Sequence, residues 1–596
     1  MRPATRARRP ITLAGIALAL LLAPRAVARA PADLDAPARR ALVTYAYEAL
    51  DHALGQGPEP SAPSAPRVTY ARLFITLLAQ GHIRACMSGR APADASGRLV
   101  RDVRSAVERS VRDERFGGVL TPEEGPRTRI VFTFLYGRRR VPNRSLQGVA
   151  RTVELGVHAI ELRCAGRGAF FKESVPLTHG YTLQRTLQRL CRKAGLPADA
   201  AFDPATHLYR YETHTFVAGR GEAGTVLYRY NMLVDPDAVS PGTVRARLRA
   251  AHGWLGRSVD ADTGLIAYWY DPIEDQYADD QNHVRALGTI WSVARLGAFL
   301  NDDALDPVVG RTLDQYLAHK GEVPEGAYLL MEDNTSKLAY NAFLVLVLLN
   351  APDYPDAQRL RARFADGMLA LQEPDGSYRT YYASSRNTGV EFYPGEAMLA
   401  LMRLYQETED PRLLDSVRRA FPYYRAHWRA APTTAFVPWH IQADRLLWQA
   451  TGDPEVRAFV CEMADWLLEY QVRHSPYPDE IGGFPPQEPR YSTAAYLEGL
   501  VDAHLVARKA GDADRAARYA RAVRLGVRFL FQLQFTEANT FFLENPQRAV
   551  GGFHHSLTNL RLRNDYTQHA VMALMKAQEA GLLKELRPAD ESGEGP

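Results

Sequence analysis

At 596 residues the chain is longer than one hydrophobic core supports, because single cores stop growing at roughly 250–300 residues, and more than one domain is expected. Apolar residues at 46% and charged residues at 23% are close to globular averages and exclude a mainly disordered chain. The formal charge of +4 is small, and no Lys/Arg cluster is interleaved with aromatics, which argues against a nucleic-acid partner.

The first thirty residues read as an export signal. Arg2, Arg6, Arg8 and Arg9 precede the apolar run Ile11 to Ala23, and Ala28-Arg29-Ala30 forms an A-x-A cleavage site. The run is short for a membrane span and ends in Pro24-Arg25. A periplasmic or secreted protein, with no stable membrane span after cleavage, is the expectation. Cys86, Cys164, Cys191 and Cys461 form no C-x-x-C pair, and no His completes a zinc site, so no metal and no cofactor are expected. Export permits a disulfide among the first three, although buried free thiols are favoured.

A short helix around Leu42 to Leu54 leads into a Pro/Gly/Ser-rich linker, Gly55 to Arg67, so residues 31–67 are read as a helical segment and linker. Residues 68–235 mix strand-like runs, Leu73 to Leu77, Arg129 to Tyr136 and Val157 to Leu162, with helical segments at Leu99 to Arg112 and Leu183 to Ala194. The pattern is α+β. Four motifs in this stretch carry a resemblance: Arg84-Ala85-Cys86-Met87-Ser88-Gly89, Asp113-Glu114-Arg115-Phe116, Glu154-Leu155-Gly156-Val157-His158-Ala159-Ile160 and Arg192-Lys193-Ala194-Gly195-Leu196. In this order they resemble the AMMECR-like family, which implies an α+β domain and transfers little biochemistry. Ala85 and Ala159 stand where that family has glycines, and the loop Phe170 to Pro176 lacks its Leu-Pro-x-Val form, so any pocket is altered. Arg84, Cys86, Asp113, Arg115 and His158 are the candidate site of this domain. The Cys86 thiol is a nucleophile by type, but the sequence names no base for it, and a packed thiol is the favoured reading.

From residue 240 onward one pattern recurs every 45 to 60 residues. An outer helix ends in Leu371-Gln372, Tyr470-Gln471 or Leu533-Gln534. A loop with Asp375-Gly376, Gly482-Gly483-Phe484 or Gly551-Gly552-Phe553 follows, then an inner helix rich in small and aromatic residues. The spacing predicts outer helices near 242–256, 306–320, 356–372, 411–427, 454–471 and 512–534. Inner helices are predicted near 284–300, 336–350, 392–407, 437–450, 490–510 and 564–581. Six hairpins result, and the apolar final helix suggests closure onto the first. The fold class expected is therefore multidomain: an α+β domain followed by an all-α (α/α)6 toroid over 240–585, with a disordered tail at 586–596. The toroid resembles the six-hairpin superfamily of glycosidases, polysaccharide lyases and sugar epimerases, an architectural resemblance without a diagnostic catalytic motif.

In such a toroid the long loops enter the inner helices at one shared mouth. The first loop packs acids among aromatics and supplies Trp269, Tyr270, Asp280 and His283; the second and third supply Asp333, Lys337, Glu391 and Tyr393. Trp439 and His440 come from the fourth, Arg490 and Tyr491 from the fifth, and Arg561, Arg563, Asp565, Tyr566 and His569 from the sixth. Rings and carboxylates suit pyranose faces and hydroxyls, whereas acids at helix starts also serve as caps. The first loop has no Asp-x-Asp-x-Asp-Gly segment, which disfavours calcium. Asp280, Asp333, Glu391 and Asp565 are the candidate catalytic carboxylates for a hydrolase acting on a carbohydrate polymer or oligosaccharide. The other mouth residues are candidate substrate contacts. Tyr393 or Tyr566 with His440 would instead suit proton abstraction by a uronate C5-epimerase or lyase, with Arg490, Arg561 and Arg563 either binding the uronate or holding nearby acids. A non-catalytic glycan- or cell-wall-binding scaffold is the third alternative.

Overall fold

The computed structural model describes residues 30–92 and 97–583, so the expected export signal, Ala30 apart, and the expected tail lie outside the described residues. Helices α1 (Ala36–Ala53) and α2 (Arg98–Val111) pack on one face of an antiparallel sheet. Its strands are β1 (Arg72–Ala79), β2 (His82–Ser88), β3 (Thr128–Val141), β4 (Ala159–Cys164), β5 (Arg167–Phe171), β6 (His207–Ala218) and β7 (Thr225–Leu227). Strand order is β2-β1-β3-β6-β4-β5, with β7 also on β6. Short helices α3 (Leu146–Ala150), α4 (Ser174–Thr178) and α5 (Leu183–Lys193) complete the unit. The helix expected ahead of a linker is part of this domain: Leu42, Val43, Tyr45, Ala46, Tyr47, Ala49 and Leu50 of α1 are buried in the same core as Ile75, Phe132 and Phe216. The four cysteines are free thiols.

The remaining chain forms the six helical hairpins. Outer helices are α6 (Pro241–Arg257), α8 (Asp306–Leu317), α10 (Ala357–Ala370), α12 (Pro411–Ala430), α14 (Pro454–Leu468) and α16 (Ala513–Leu533). Inner helices are α7 (His283–Leu300), α9 (Leu338–Asn350), α11 (Tyr393–Thr408), α13 (Val437–Thr451), α15 (Ser492–Lys509) and, after the four-residue α17 (Pro546–Ala549), α18 (Asn564–Glu579). Each inner helix packs on the next, and α18 packs on α7, so the ring is closed and its inner helices are apolar nearly all round. None of the described helices is long and apolar enough to cross a membrane.

The recurring Gln and Gly explain how the hairpins are stitched together. The Nε2 of Gln372 donates to the carbonyls of Gly376 (3.1 Å) and of Ser416 on α12 (2.8 Å). Gln471 does the same to Gly482 (3.0 Å) and Ala522 on α16 (2.9 Å), and Gln534 to Gly551 (2.9 Å) and Arg247 on α6 (3.0 Å). Each clamp ties a loop to the next outer helix, the last one across the ring closure. At all three glycines φ is positive (92°, 96° and 97°), and a Cβ would stand 2.0–2.2 Å from a carbonyl oxygen of that helix, so only glycine fits.

A buried arginine joins the two units. Arg229, just after β7, donates to Asp479 of the α14–α15 loop (Nε to Oδ2, 2.6 Å) and pairs with Glu154 of its own domain. Asn231 donates to the Gln532 carbonyl (3.0 Å), and Gln532 donates back to that of Met232 (2.8 Å). Gln471→Leu is expected to lower the unfolding free energy by about 1–3 kcal/mol through its lost buried hydrogen bonds. Gly482→Ala should cost at least as much, whereas Gly511→Ala, at a positive-φ glycine with nothing within 4 Å, should cost only about 1 kcal/mol. Urea denaturation of the three variants checks the ranking.

Candidate functional site

The mouth is built where the sixth loop returns beside the first. Leu562–Arg563 pairs antiparallel with Trp269–Asp271, which sets Arg563 opposite Trp269 at the start of α18. Asp565, buried in the first turn of α18, accepts from Arg563 (Nε 2.5 Å, Nη2 2.8 Å) and from Arg285 of α7 (Nε 3.0 Å). Arg285 also donates to the Tyr268 hydroxyl (2.9 Å). The Arg563 guanidinium lies 4.2 Å over the Tyr566 ring, 5.4 Å from that of Tyr491 and 5.6 Å from that of Tyr268. Burial works against the Arg563 charge, but Asp565 more than offsets it and keeps its pKa above the ordinary arginine value.

One turn further along α18, His569 follows Asp565 at the i+4 position. Its Nδ1 meets Oε1 of Glu498 on α15 at 2.7 Å, and because a carboxylate only accepts, Nδ1 carries the proton. Glu498 is buried, and the His569 side chain keeps 16% exposure. The imidazole lies 5.8 Å from the Trp439 ring, which in turn neighbours Trp291 (6.3 Å) and Phe343 (5.7 Å). These rings floor the mouth. Further along α18, Lys576 donates to Asp502 (2.9 Å) and Gln442 (2.8 Å).

The four candidate carboxylates occupy different surroundings. Asp565 is neutralised by its two arginines. Glu391 accepts from Thr433 and faces Nε2 of His427 at 3.3 Å, on the flank between α11 and α12. Asp280 and Asp333 are exposed, Asp333 with φ 56°. Among the candidate contacts, Tyr491 stacks on Tyr566 at 3.8 Å and Arg561 lies 4.5 Å over Trp269 while donating to Asp271 (3.3 Å). Arg490 stands 3.5 Å from Glu488. Lys337 lies over Tyr340, half-buried Tyr393 faces Tyr381, and His283 meets the Tyr316 hydroxyl at 3.1 Å.

Two expected contacts are corrected. His440 is fully buried and stacked on Phe436 at 3.5 Å, turned toward Tyr424 of α12, where burial holds its pKa well below the ordinary histidine value. Tyr270 is buried, with its hydroxyl on Asp275 (2.6 Å), because neighbouring strand residues point to opposite faces and Trp269 takes the outer one. Residues not singled out from the sequence complete the picture. Arg285 and Glu498 hold the site, Glu396 is buried in the first turn of α11, and Asp444 lies on α13 with its pKa raised well above the carboxylate range by burial.

In the N-terminal domain the motif residues form knots. Arg84 donates to Glu124 (2.6 Å) and the Phe116 carbonyl; Asp113 accepts from Arg115 and from the Cys86 amide (3.2 Å), and the arginine holds its pKa below the ordinary value. His158 is buried, accepting from the Glu154 amide (2.8 Å) and facing Arg210. The Cys86 thiol takes the Thr76 hydroxyl at 3.3 Å, and Lys172 donates to that hydroxyl at 2.6 Å.

Residues 43–216 match the AMMECR1 family model, so the N-terminal unit carries an AMMECR1 domain. Protein MK0488 of Methanopyrus kandleri is 26% identical over 179 residues, 29% of this chain and 86% of that protein. Cellobiose 2-epimerase from Bacillus thermoamylovorans aligns with 57% of this chain and 99% of its own at 12% identity and a TM-score of 0.44. An unsaturated glucuronyl hydrolase specific for heparin aligns with 56% and 97% at 12% identity and a TM-score of 0.40. At these identities and scores the likeness transfers no activity to this chain.

Burial pushes the Glu396 carboxyl up to about 8, so between the ordinary value of 4.5 and that point the native state holds a proton the unfolded chain has released. Native stability therefore falls as pH rises through this window, by up to roughly 1.4 kcal/mol per pH unit. Glu396→Gln removes the titration and is expected to gain stability relative to wild type between pH 5 and pH 8, read from urea unfolding at the two pH values.

Proposed function

We propose that the barrel mouth binds a carbohydrate polymer or oligosaccharide and that His569, fixed by Glu498, moves a proton on it. The observation that carries this reading is the 2.7 Å contact from Nδ1 of His569 to a buried carboxylate, beneath a ring of tyrosines and arginines and above Trp439. A carboxylate on Nδ1 sets the tautomer and supports charge on the ring, so Nε2 is the pole that takes or returns a proton. Half-buried Tyr491 and Trp269 offer ring surface for sugars, while Tyr566 is buried between Arg563 and Tyr491, and Phe392, 43% exposed at the start of α11, adds an apolar surface at the rim. Arg285 and Arg563 together carry one more charge than the Asp565 they share, one helical turn before His569, and this excess suits a uronate carboxylate or the oxyanion that forms when a carbon-bound proton leaves. Proton transfer at a sugar carbon, as in an epimerase or lyase, fits this arrangement better than hydrolysis by two carboxyls, because Asp565 is already committed to two arginines. The reading includes export, supported by the arginine-rich start and apolar run of the sequence, with action in the periplasm or outside the cell.

The test incubates the full chain with cello-oligosaccharides and heparin-derived oligosaccharides in D2O. Carbon-bound proton exchange and unsaturated products are followed by NMR, and reducing ends by titration. Exchange or elimination is expected in wild type, falling roughly 10²–10⁴-fold in His569→Asn and less in Glu498→Gln, both with unchanged circular dichroism. Undiminished exchange or elimination in His569→Asn, or new reducing ends with neither exchange nor unsaturated products, overturns the reading.

A further inference from the structure

The two domains enclose a cavity of about 740 Å³, a volume in the range of small-ligand sites. The AMMECR1 domain forms one wall with Phe116, Arg127 and His179, and the barrel forms the other with Ile273, Phe542 and Glu544. Its width is fixed. The β1–β2 turn rests on the barrel so closely that a Cβ at Gly81 would stand 1.9 Å from the Leu543 carbonyl oxygen, and buried Arg229 pins the domains together through Asp479.

This cavity is not remote from the mouth. Ile273 lies in the turn four residues beyond Trp269, which pairs with Arg563 of the Asp565 cluster, so at most roughly 13 Å of chain separates the cavity wall from that strand. Beside this turn Arg561, half-exposed, lies over Trp269 and donates to Asp271, so charged hydrogen-bonding groups stand next to the cavity wall. The lining mixes apolar surface with separated donors and acceptors of both signs. That suits a hydroxyl-rich chain better than a multiply charged one or a purely apolar one.

We infer that the interdomain cavity is a distal subsite of the mouth, holding the far end of a glycan whose near end lies over His569. The inference rests on the carbohydrate reading and adds a role for the AMMECR1 domain, which would supply one wall of the binding cleft and select for chain length.

Isothermal titration of the full-length protein tests it, using cello-oligosaccharides and heparin-derived oligosaccharides from disaccharide to octasaccharide. The readout is each protein's octasaccharide affinity divided by its own disaccharide affinity. In wild type this ratio should be on the order of tenfold or more for the series that binds, equivalent to about 1.4 kcal/mol. In Arg127→Ser/His179→Ser, two exposed wall residues, it should fall toward one, and Phe116→Ala should lower it as well. A wild-type ratio near one, or a ratio unchanged in both variants, overturns the distal subsite while leaving the mouth reading intact. Failure of every oligosaccharide to bind wild type overturns the carbohydrate reading and this inference together.

Discussion

The Gln–Gly clamp is the interaction on which the barrel depends. A single side-chain amide satisfies two backbone carbonyls, one in its own loop and one on the next outer helix, and it does so at α12, α16 and α6. The third instance spans the junction between the last hairpin and the first, so the same device that joins neighbours also closes the ring. Because each clamp seats its loop at the same end of the hairpin, the loops are gathered into one mouth. Amphipathic hairpins that share a closed ring need no polar caps, and this is why the final inner helix can stay as apolar as the others.

The closed ring of inner helices buries most of the side chains it turns inward, and the buried charges there stand in company. Asp565 is held by two arginines, His569 by Glu498, and Asp502 by Lys576. Where no partner is at hand the charge is given up: burial raises the pKa of Glu396 and Asp444 and lowers that of His440. The contrast separates the buried unpaired groups Glu396, Asp444 and His440 from the paired groups of α15 and α18. Trp291, Trp439 and Phe343 pack together beneath His569 and close the loop end of the barrel below it.

The architecture was legible because it repeats. The hairpin period, the Gln at the outer-helix end and the glycine in the loop stand in the sequence as regular marks, and the α+β pattern of the first domain follows from its strand runs. The site was legible only in part. Asp565, Arg563, Tyr566 and His569 stand close together and were singled out, but the partner of His569 is Glu498, 71 residues away, and only the folded ring brings them together. A signal was available: Glu498 and Asp502 stand four apart in the otherwise uncharged first three turns of α15, as Asp565 and His569 stand four apart on α18. Searching loops for acids favoured Asp280 and Asp333, which are exposed, over inner-helix acids that reach the lumen. His440 and Tyr270 failed for a different reason. Which face a helix or strand residue presents depends on the rotation of its element, and residue type beside a mouth loop does not reveal that.

Under the proposed function a glycan occupies the barrel mouth over the His569–Glu498 pair. A crystal structure of the full chain soaked with the oligosaccharide that binds most tightly tests it most directly. The expected result is a sugar ring against Tyr491 or Trp269, with a carbon or hydroxyl within hydrogen-bonding or proton-transfer reach of Nε2 of His569. A sugar bound elsewhere with this mouth empty would contradict it.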